Sequence, residues 1–366
     1  MRIVLTHPYC WPYVRRGSER FIAELARYLA GRGYDVVTVS GKPGPGLVER
    51  TTDGKRVLYN HFWVPSLSRV RITPMHTFVP ALIHALQSIK ADVVHSLSYL
   101  DAWAANLFRR RRGYRTVYQV TGPPVPHWFP RVPPDRQAIR RAICRSDRVF
   151  THSAFTARIV RDYYGLDPRI IPVPIDLPQF PLKNGPPPQR PVILSVASFD
   201  ERRKGLRVLV RAFEILKRRV PEAVLRLSGA MSPELRREVL APLPAGVRAD
   251  IQVLGVGALT DVPLHYRQAT LTVIPSMWEA YGMAVVESWA SGTPVVVTDH
   301  AGLSELVDDP HLGRLFDPLT DGQETHNAQG LADAILAALT LMQDDRTRLR
   351  CRARAEQYSW GVIGPQ

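Results

Sequence analysis

The sequence predicts an α/β protein made of two Rossmann-like domains in tandem. Three observations lead there. β-rich apolar runs alternate with amphipathic helical patterns from residue 2 onward, and the same alternation resumes at Val192. Between the two series, Arg169 to Pro191 holds eight prolines, too many for a regular element. At 366 residues the chain is long for one ordinary α/β sheet and long enough for two cores. The expected division is a first domain over 1–176, a linker over 177–191 and a second domain over 192–354.

Arg2 to Thr6 reads as the opening strand. Phe21, Ile22, Leu25, Tyr28 and Leu29 mark an amphipathic helix with Ser18 as its N-cap, ended by Gly31 and Gly33, and Val36 to Val39 is the next strand. The intervening loop, His7 to Gly17, lacks G-x-G-x-x-G, which disfavours a dinucleotide dehydrogenase. Gly17 still leaves room for a diphosphate at the helix start. Val57 to Phe62, Val93 to Ser96 and Thr116 to Val120 are further strands, with helices over Thr77 to Ile89 and after Asp101. Thr121-Gly122 then leads into an aromatic, proline-rich loop carrying His127. That histidine is a candidate for an acceptor contact or a proton role, against the simpler reading of an exposed or structural side chain. His95 and His152, at strand ends, read as structural.

The second series opens with the strand Val192 to Ala197. The loop Ser198 to Gly205 follows, with Arg202, Arg203 and Lys204 at the mouth of a helix bearing Leu206, Leu209, Val210, Phe213 and Leu216. Three cations there make an anion site, or merely a charged surface loop. Val224 to Ser228 and Ile251 to Leu254 are strands, the latter running into Gly255-Val256-Gly257.

The richest stretch is Pro275 to Val297. Leu271 to Ile274 is a strand, Met283 to Ala290 a helix, Gly292 and Pro294 its stop, and Val295 to Val297 a buried parallel strand. In such a βαβ unit ligands sit beyond the carboxyl ends of the strands, where Trp278 to Gly282 falls. Free N–H groups of Gly282, Met283 and Ala284 suit a phosphate. Glu279 in the loop and Glu287 one turn into the helix would repel that phosphate, so their targets are hydroxyls of a ribose and a sugar. Taken alone, an E-x7-E pair is as readily two surface glutamates.

Composition is that of a globular protein, 45% hydrophobic, and no apolar run approaches the roughly 18 residues a bilayer span needs. The amino-terminal run is too short for a signal peptide. Three scattered cysteines, Cys10, Cys144 and Cys351, offer neither metal spacing nor a disulfide framework, which fits a reducing cytoplasm. The net charge of +15 is lopsided: residues 1–190 carry 29 basic and 12 acidic side chains, residues 191–366 carry 19 and 21. Arg109 to Arg112 is the densest run. It reads as a helix end favoured by the dipole, or as contact with an anionic membrane surface or an acidic acceptor. Nucleic acid is disfavoured, since no recognition motif accompanies the charge.

Almost the whole chain resembles the retaining GT-B glycosyltransferases of the group 1, family 4 (GT4) type. The similar pieces, in order, are RRGSERFIAELARYLAGRGYDVVTV, DVVHS, SAFTARIV, PVPIDLPQF, RRKGLRVLVRAF, IQVLGVG and PSMWEAYGMAVVESWASGTPVVVTDHAGLSELV. The resemblance implies two Rossmann-like domains facing across a cleft, an amino-terminal acceptor domain and a carboxyl-terminal nucleotide-sugar domain. It also implies a tail, about 355–366, that packs back on the first domain.

Carried over residue by residue, Glu287 binds the donor ribose and Glu279 the transferred sugar. Gly282, Met283 and Ala284 face the diphosphate and sugar, Lys204 neutralises the leaving group, and Val256 lies in the base-contacting segment. No cofactor and no metal is expected. Three departures follow. Ser198 stands where the family often has an arginine, passing phosphate neutralisation to Arg202 or Arg203. The usual Gly-Gly of the first loop is Arg16-Gly17, and a common His-Gly is Thr121-Gly122, so acceptor chemistry falls to Arg16, Thr121 and His127. The expected function is retaining transfer of a sugar from a nucleoside diphosphate to a hydroxyl-type acceptor, lipid-linked or acidic. The expected location is the cytoplasm, either free or peripheral at the inner face of the membrane. The rival is a non-catalytic nucleotide- or carbohydrate-binding protein on a decayed scaffold of the same kind.

Overall fold

The structure is a computed structural model that describes residues 1–42, 57–63, 73–125, 133–185, 188–258, 260–319, 327–344 and 346–366. The chain divides into two compact units, Met1–Val173 and Pro174–Gln366.

The first unit carries strands β1 (Arg2–His7), β2 (Asp35–Lys42), β3 (Val57–Trp63), β4 (Val93–Ser96), β5 (Arg115–Gln119), β6 (Arg148–Thr151) and the short β7 (Arg169–Ile170). All pair in parallel, in the order β3-β2-β1-β4-β5-β6-β7. The order reverses between β1 and β4, the switch point at which α/β sheets open a crevice beyond their carboxyl edges. Helices α1 (Gly17–Gly31), α2 (Pro74–Ser88), α3 (Tyr99–Arg112), α4 (Pro133–Arg145) and α5 (Ala154–Tyr164) make the crossovers. One core packs Val4, Val37, Val39 and Val94 under Phe78, Leu82 and Leu86 of α2. A second places Tyr118 and Val149 against Ile139 and Ile143 of α4.

Two details of α1 differ from the sequence expectation. Arg16, not Ser18, occupies the N-cap position, and no side chain caps the helix. Ser18 lies inside the first turn because its hydroxyl donates to Glu19 Oε2 at 3.1 Å. That carboxylate is fully buried and also takes Arg16 at 2.7 Å. The basic run Arg109–Arg112 forms the last turn of α3, closed by Gly113 in the left-handed region, and Arg109 pairs with Asp147 at 2.8 Å. Cations at that end complement the helix dipole.

At the carboxyl edge of this sheet His95, Gln119 and His152 form a buried chain. His152 Nδ1 lies 2.9 Å from the Ile171 carbonyl, which fixes the proton there. Its Nε2 then accepts from Gln119 Nε2 at 2.9 Å, and Gln119 Oε1 accepts from His95 Nε2 at 2.9 Å. Burial pushes both imidazoles down to about 4. A histidine depressed on folding takes up its proton more readily when unfolded. Its contribution is therefore complete above about 6.5 and lost as the pH falls toward 4, on the order of 2 kcal/mol per residue at pH 4.5. The imidazole signals of both residues should stay those of the neutral form at pH 5 in an NMR titration. A midpoint near 6.5 for either would contradict this account.

The second unit carries β8 (Val192–Val196), β9 (Val224–Ser228), β10 (Ile251–Gly255), β11 (Leu271–Ile274), β12 (Val295–Thr298) and β13 (Gly313–Phe316), parallel in the order β10-β9-β8-β11-β12-β13. Its helices are α6 (Leu206–Lys217), α7 (Pro233–Leu240), α8 (Ala245–Ala249), α9 (Asp261–Gln268), α10 (Met283–Ala290), α11 (Ala301–Ser304), α12 (Ala328–Leu339), α13 (Arg346–Glu356) and α14 (Trp360–Ile363). The core joins Leu209 and Phe213 of α6 to Leu331 and Ile335 of α12 over Ile193, Leu225, Val273 and Val296.

The boundary lies at Val173/Pro174, so the start of the expected linker is built into the second unit. The few donors its prolines leave are used there: Ile175 N bonds Tyr358 O at 2.8 Å and Lys183 N bonds Ser291 O at 3.1 Å. Phe180 is buried, and Arg352 donates to its carbonyl at 2.8 Å. The terminal residues are assigned to the second unit, where Ser359 bridges Ile175. Among the described residues no helix is long and apolar enough to cross a membrane.

Candidate functional site

The site of interest in the second unit is assembled by two loops at the carboxyl edge of its sheet. The loop after β8 tightens into a 3-10 turn, Arg202–Lys204, and Gly205 then takes φ 70° to enter α6. A Cβ on Gly205 would sit 2.0 Å from the Pro275 carbonyl oxygen. Glycine therefore lets this loop lie directly on the loop after β11, and Met277 N bonds Arg203 O at 2.8 Å. The contact delivers two cations to one carboxylate. Lys204 Nζ stands 2.6 Å from Glu279 Oε1, and Arg203 reaches Glu279 Oε2 at 3.2 Å. Arg203 also donates to the Trp278 carbonyl at 3.2 Å, with its guanidinium 4.4 Å from the centre of the Trp278 ring. Burial alone would raise the Glu279 carboxyl, but Lys204, then Arg203 and a Ser276 hydrogen bond outweigh it and hold it at about 2.

Past Glu279 the chain turns through Gly282, at φ 118°, into α10. No side chain caps that helix, which leaves its amino end to an incoming acceptor of hydrogen bonds. Glu279 is fixed from its backbone side by Gly302 N, which donates to its carbonyl at 3.0 Å. Glu287 is buried one turn into α10 and accepts from the Tyr266 hydroxyl at 2.9 Å. The helix itself is pinned. Trp289 Nε1 donates to Leu312 O at 3.0 Å, Ser288 Oγ bonds Thr272 Oγ1 at 2.7 Å, and Gly292 at φ 77° follows the last turn as expected.

The expected site residues fall into two groups. Ser198, Arg202, Arg203, Lys204, Val256, Glu279, Gly282, Met283, Ala284 and Glu287 all lie in the second unit. Lys204 and Glu279, 75 positions apart in the chain, are ion-paired on one sheet edge. Val256 is exposed after β10, beside Gly257, where Ala258 N bonds Asp261 at 2.6 Å.

In the first unit Gly17 opens α1, and Arg16 is paired to Glu19 and lies 4.7 Å from the Tyr9 ring centre. Thr121 Oγ1 bonds the Leu97 carbonyl at 3.3 Å. His127 lies outside the described residues. Sequence reasoning did not single out Tyr266, which orients Glu287, or Trp278, which seats Arg203. Tyr266 is separated from its partner by a helix end and a whole strand, so no local pattern announces it. Trp278 adjoins Glu279 and was legible as the aromatic of that loop.

The sequence profile described as Glycosyl transferases group 1 matches residues 178–358, and that described as Glycosyltransferase Family 4 matches residues 15–179. The chain belongs to the group 1, family 4 glycosyltransferases. Among curated relatives of this chain, a D-inositol 3-phosphate glycosyltransferase of Nocardia farcinica is 30% identical over 243 residues, 60% of this chain and 51% of that protein. A phosphatidyl-myo-inositol mannosyltransferase of Propionibacterium freudenreichii is 28% identical over 68% of this chain and 63% of its own length. The alignments with the first of these relatives span about half the relatives' length.

Among solved structures, sucrose-phosphate synthase from Thermosynechococcus elongatus superposes with a TM-score of 0.80 at 21% identity, covering 100% of this chain and 96% of that one. HepE of Anabaena, in complex with UDP-glucose, does so with a TM-score of 0.75 at 17% identity, covering 100% and 98%. These likenesses establish the GT-B fold of the glycosyltransferase.

Proposed function

We propose that this glycosyltransferase moves a hexose-type sugar from a nucleoside diphosphate to a hydroxyl acceptor with retention at the anomeric carbon, without a metal. The observation that carries the proposal is the Lys204–Arg203–Glu279 cluster placed just ahead of the uncapped start of α10. Two cations and free backbone amides suit a leaving diphosphate, and the carboxylate between them suits sugar hydroxyls. The barrier is loss of the anomeric C–O bond to an oxocarbenium-like state while charge accumulates on the diphosphate. Lys204 and Arg203 stabilise that charge, with Arg202 as a further contact.

Glu279 stays ionised in this setting, so it neither donates a proton to the departing oxygen nor needs a base to orient it. The acceptor oxygen attacks from the face the diphosphate leaves, forming the new C–O bond as the old one breaks. Its proton passes to the departing phosphate oxygen. Exclusion of water protects the donor from hydrolysis.

Glu287, held by Tyr266, is the ribose ligand in this reading. HepE binds UDP-glucose by the description of its structure, which supports a nucleotide-sugar donor here. Two relatives are named for inositol phosphate and phosphatidylinositol acceptors. Together with the basic first half, this supports an acidic or lipid-linked acceptor, contacted by Arg16, Thr121 and His127, and peripheral attachment at the inner face of an anionic membrane.

A thermal-shift panel of UDP-, GDP-, ADP- and dTDP-sugars tests the donor, since binding to the folded state raises the melting temperature. Glu287→Ala should weaken the stabilising nucleotide roughly 10-fold or more, the scale of a lost charge-assisted hydrogen bond. Unchanged affinity would place the ribose elsewhere. Binding without nucleotide release in the presence of acceptors would favour the non-catalytic alternative.

A further inference from the structure

The second unit has a cavity of about 420 Å³ that the donor chemistry does not use, lined by Lys183, Arg226, Arg267, Gln268, Asp344 and Arg348 among others. Val192, the first residue of β8, is part of its wall, whereas Lys204 follows the last. The cavity therefore lies at the amino edge of a parallel sheet, the end opposite the Lys204–Glu279 pair. Its volume is that of a small-molecule site.

Its charge is not balanced from within. Arg226 bonds only the neutral amides of Gln252 and Gln268, at 2.9 and 3.0 Å. Arg267 and Arg348 have no carboxylate partner among the described residues. Lys183 donates to the Ala269 carbonyl at 2.7 Å. The single lining carboxylate, Asp344, caps α13 through Arg346 N at 2.9 Å and is shared between Arg346 and Arg350. Arg348 stands in the first turn of α13, where the helix dipole disfavours a cation. Four cations around one half-open cavity, with their nearest anion already engaged, leave an electrostatic deficit that a multiply charged anion would fill.

We infer that this cavity binds a soluble phosphorylated small molecule carrying two or more negative charges, at a site separate from the donor site. Guanidinium groups supply the planar, paired donors that phosphate oxygens accept. Burial lowers the Lys183 ammonium to about 8, which leaves it charged at neutral pH, and an anion beside it would raise that value again.

Inorganic pyrophosphate is the probe, titrated calorimetrically into the full chain. In a Lys204→Ala background, which removes the donor diphosphate contact, one saturable site should remain. Adding Arg267→Gln and Arg348→Gln should weaken that site at least 10-fold per guanidinium, and the two substitutions alone should leave the Lys204-dependent site intact. Loss of all binding in Lys204→Ala, or equal binding with and without the two arginines, would overturn the inference. Should the variants melt early, the unsubstituted protein gives a second readout. Pyrophosphate should protect Arg267 and Arg348 from phenylglyoxal as read by mass spectrometry, and undiminished modification counts against the site. A failure of the donor reading would show instead as loss of Lys204 dependence, with this site unaffected.

Discussion

Lys204→Ala should lower turnover by on the order of 10² or more with the fold intact, as removal of one donor aimed at developing charge does in other enzymes. Lys204 brings an ammonium to within 2.6 Å of Glu279 and therefore to the place where the diphosphate and sugar meet in the proposed reaction. The variant loses more than a contact to the leaving group. Glu279, deprived of its nearest counter-charge, keeps only Arg203 and Ser276 against the cost of burial, so its carboxyl rises from about 2 toward the ordinary carboxylate range.

The direction is testable by pH. In the unsubstituted protein the depressed carboxyl contributes stability that is complete above about 4.5 and lost only as the pH falls toward 2. In Lys204→Ala that loss should begin at higher pH, and an acid limb should enter the turnover profile. Lys204→Arg should recover part of the activity at most, because a planar fork does not reproduce a compact point charge. Undiminished turnover in Lys204→Ala, measured as nucleotide release, would remove Lys204 from the mechanism.

Much of this architecture was legible because buried parallel strands announce themselves. Val93–Ser96, Val224–Ser228, Leu271–Ile274 and Met283–Ala290 lie where apolar runs and helical spacing put them. Helix α4 went unassigned although Ala138, Ile139, Ala142 and Ile143 give it a buried face, because a proline pair and four arginines surround that stripe. Helices α12 and α13 were missed for different reasons. The first is apolar nearly all round, and the second has its buried positions, Thr347, Cys351 and Ala355, among six charged residues.

Within the site, the carboxylates and cations could be named from spacing and resemblance, but not their pairing. Lys204 and Glu279 are 75 positions apart, and what brings them together is the contact between Gly205 and Pro275, a backbone matter with no residue-type signature. Tyr266 is likewise a tertiary partner of Glu287. The proline-rich stretch gives no such signal either: prolines exclude regular elements without excluding packing, and Ile175 and Phe180 within it are buried.

Gly205→Ala should lower the stability of the second unit by about 3 kcal/mol or more. Two costs add. At φ 70° any L side chain is disfavoured by roughly 1–2 kcal/mol. The new Cβ would also meet the Pro275 carbonyl oxygen at 2.0 Å and its carbon at 2.9 Å, and backbone cannot swing aside as a side-chain end can. Gly282 provides the comparison. Its φ of 118° is at least as demanding, but its Cβ would meet the tip of Leu303 at 2.7 Å, a group with other rotamers open to it. Gly205→Ala should therefore cost more than Gly282→Ala in a calorimetric melt, by about 2–4 °C for each kcal/mol in a unit of this size.

The damage should not stop at stability. Relief of the clash requires the 3-10 turn and the loop after β11 to part, which stretches the Met277–Arg203 bond and draws Lys204 from Glu279. The methyl touches no substrate, yet it should reduce nucleotide release as Lys204→Ala does and free the Glu279 carboxyl to titrate at higher pH. A Gly205→Ala protein that melts normally and turns over normally would show that the two loops adjust without moving the pair.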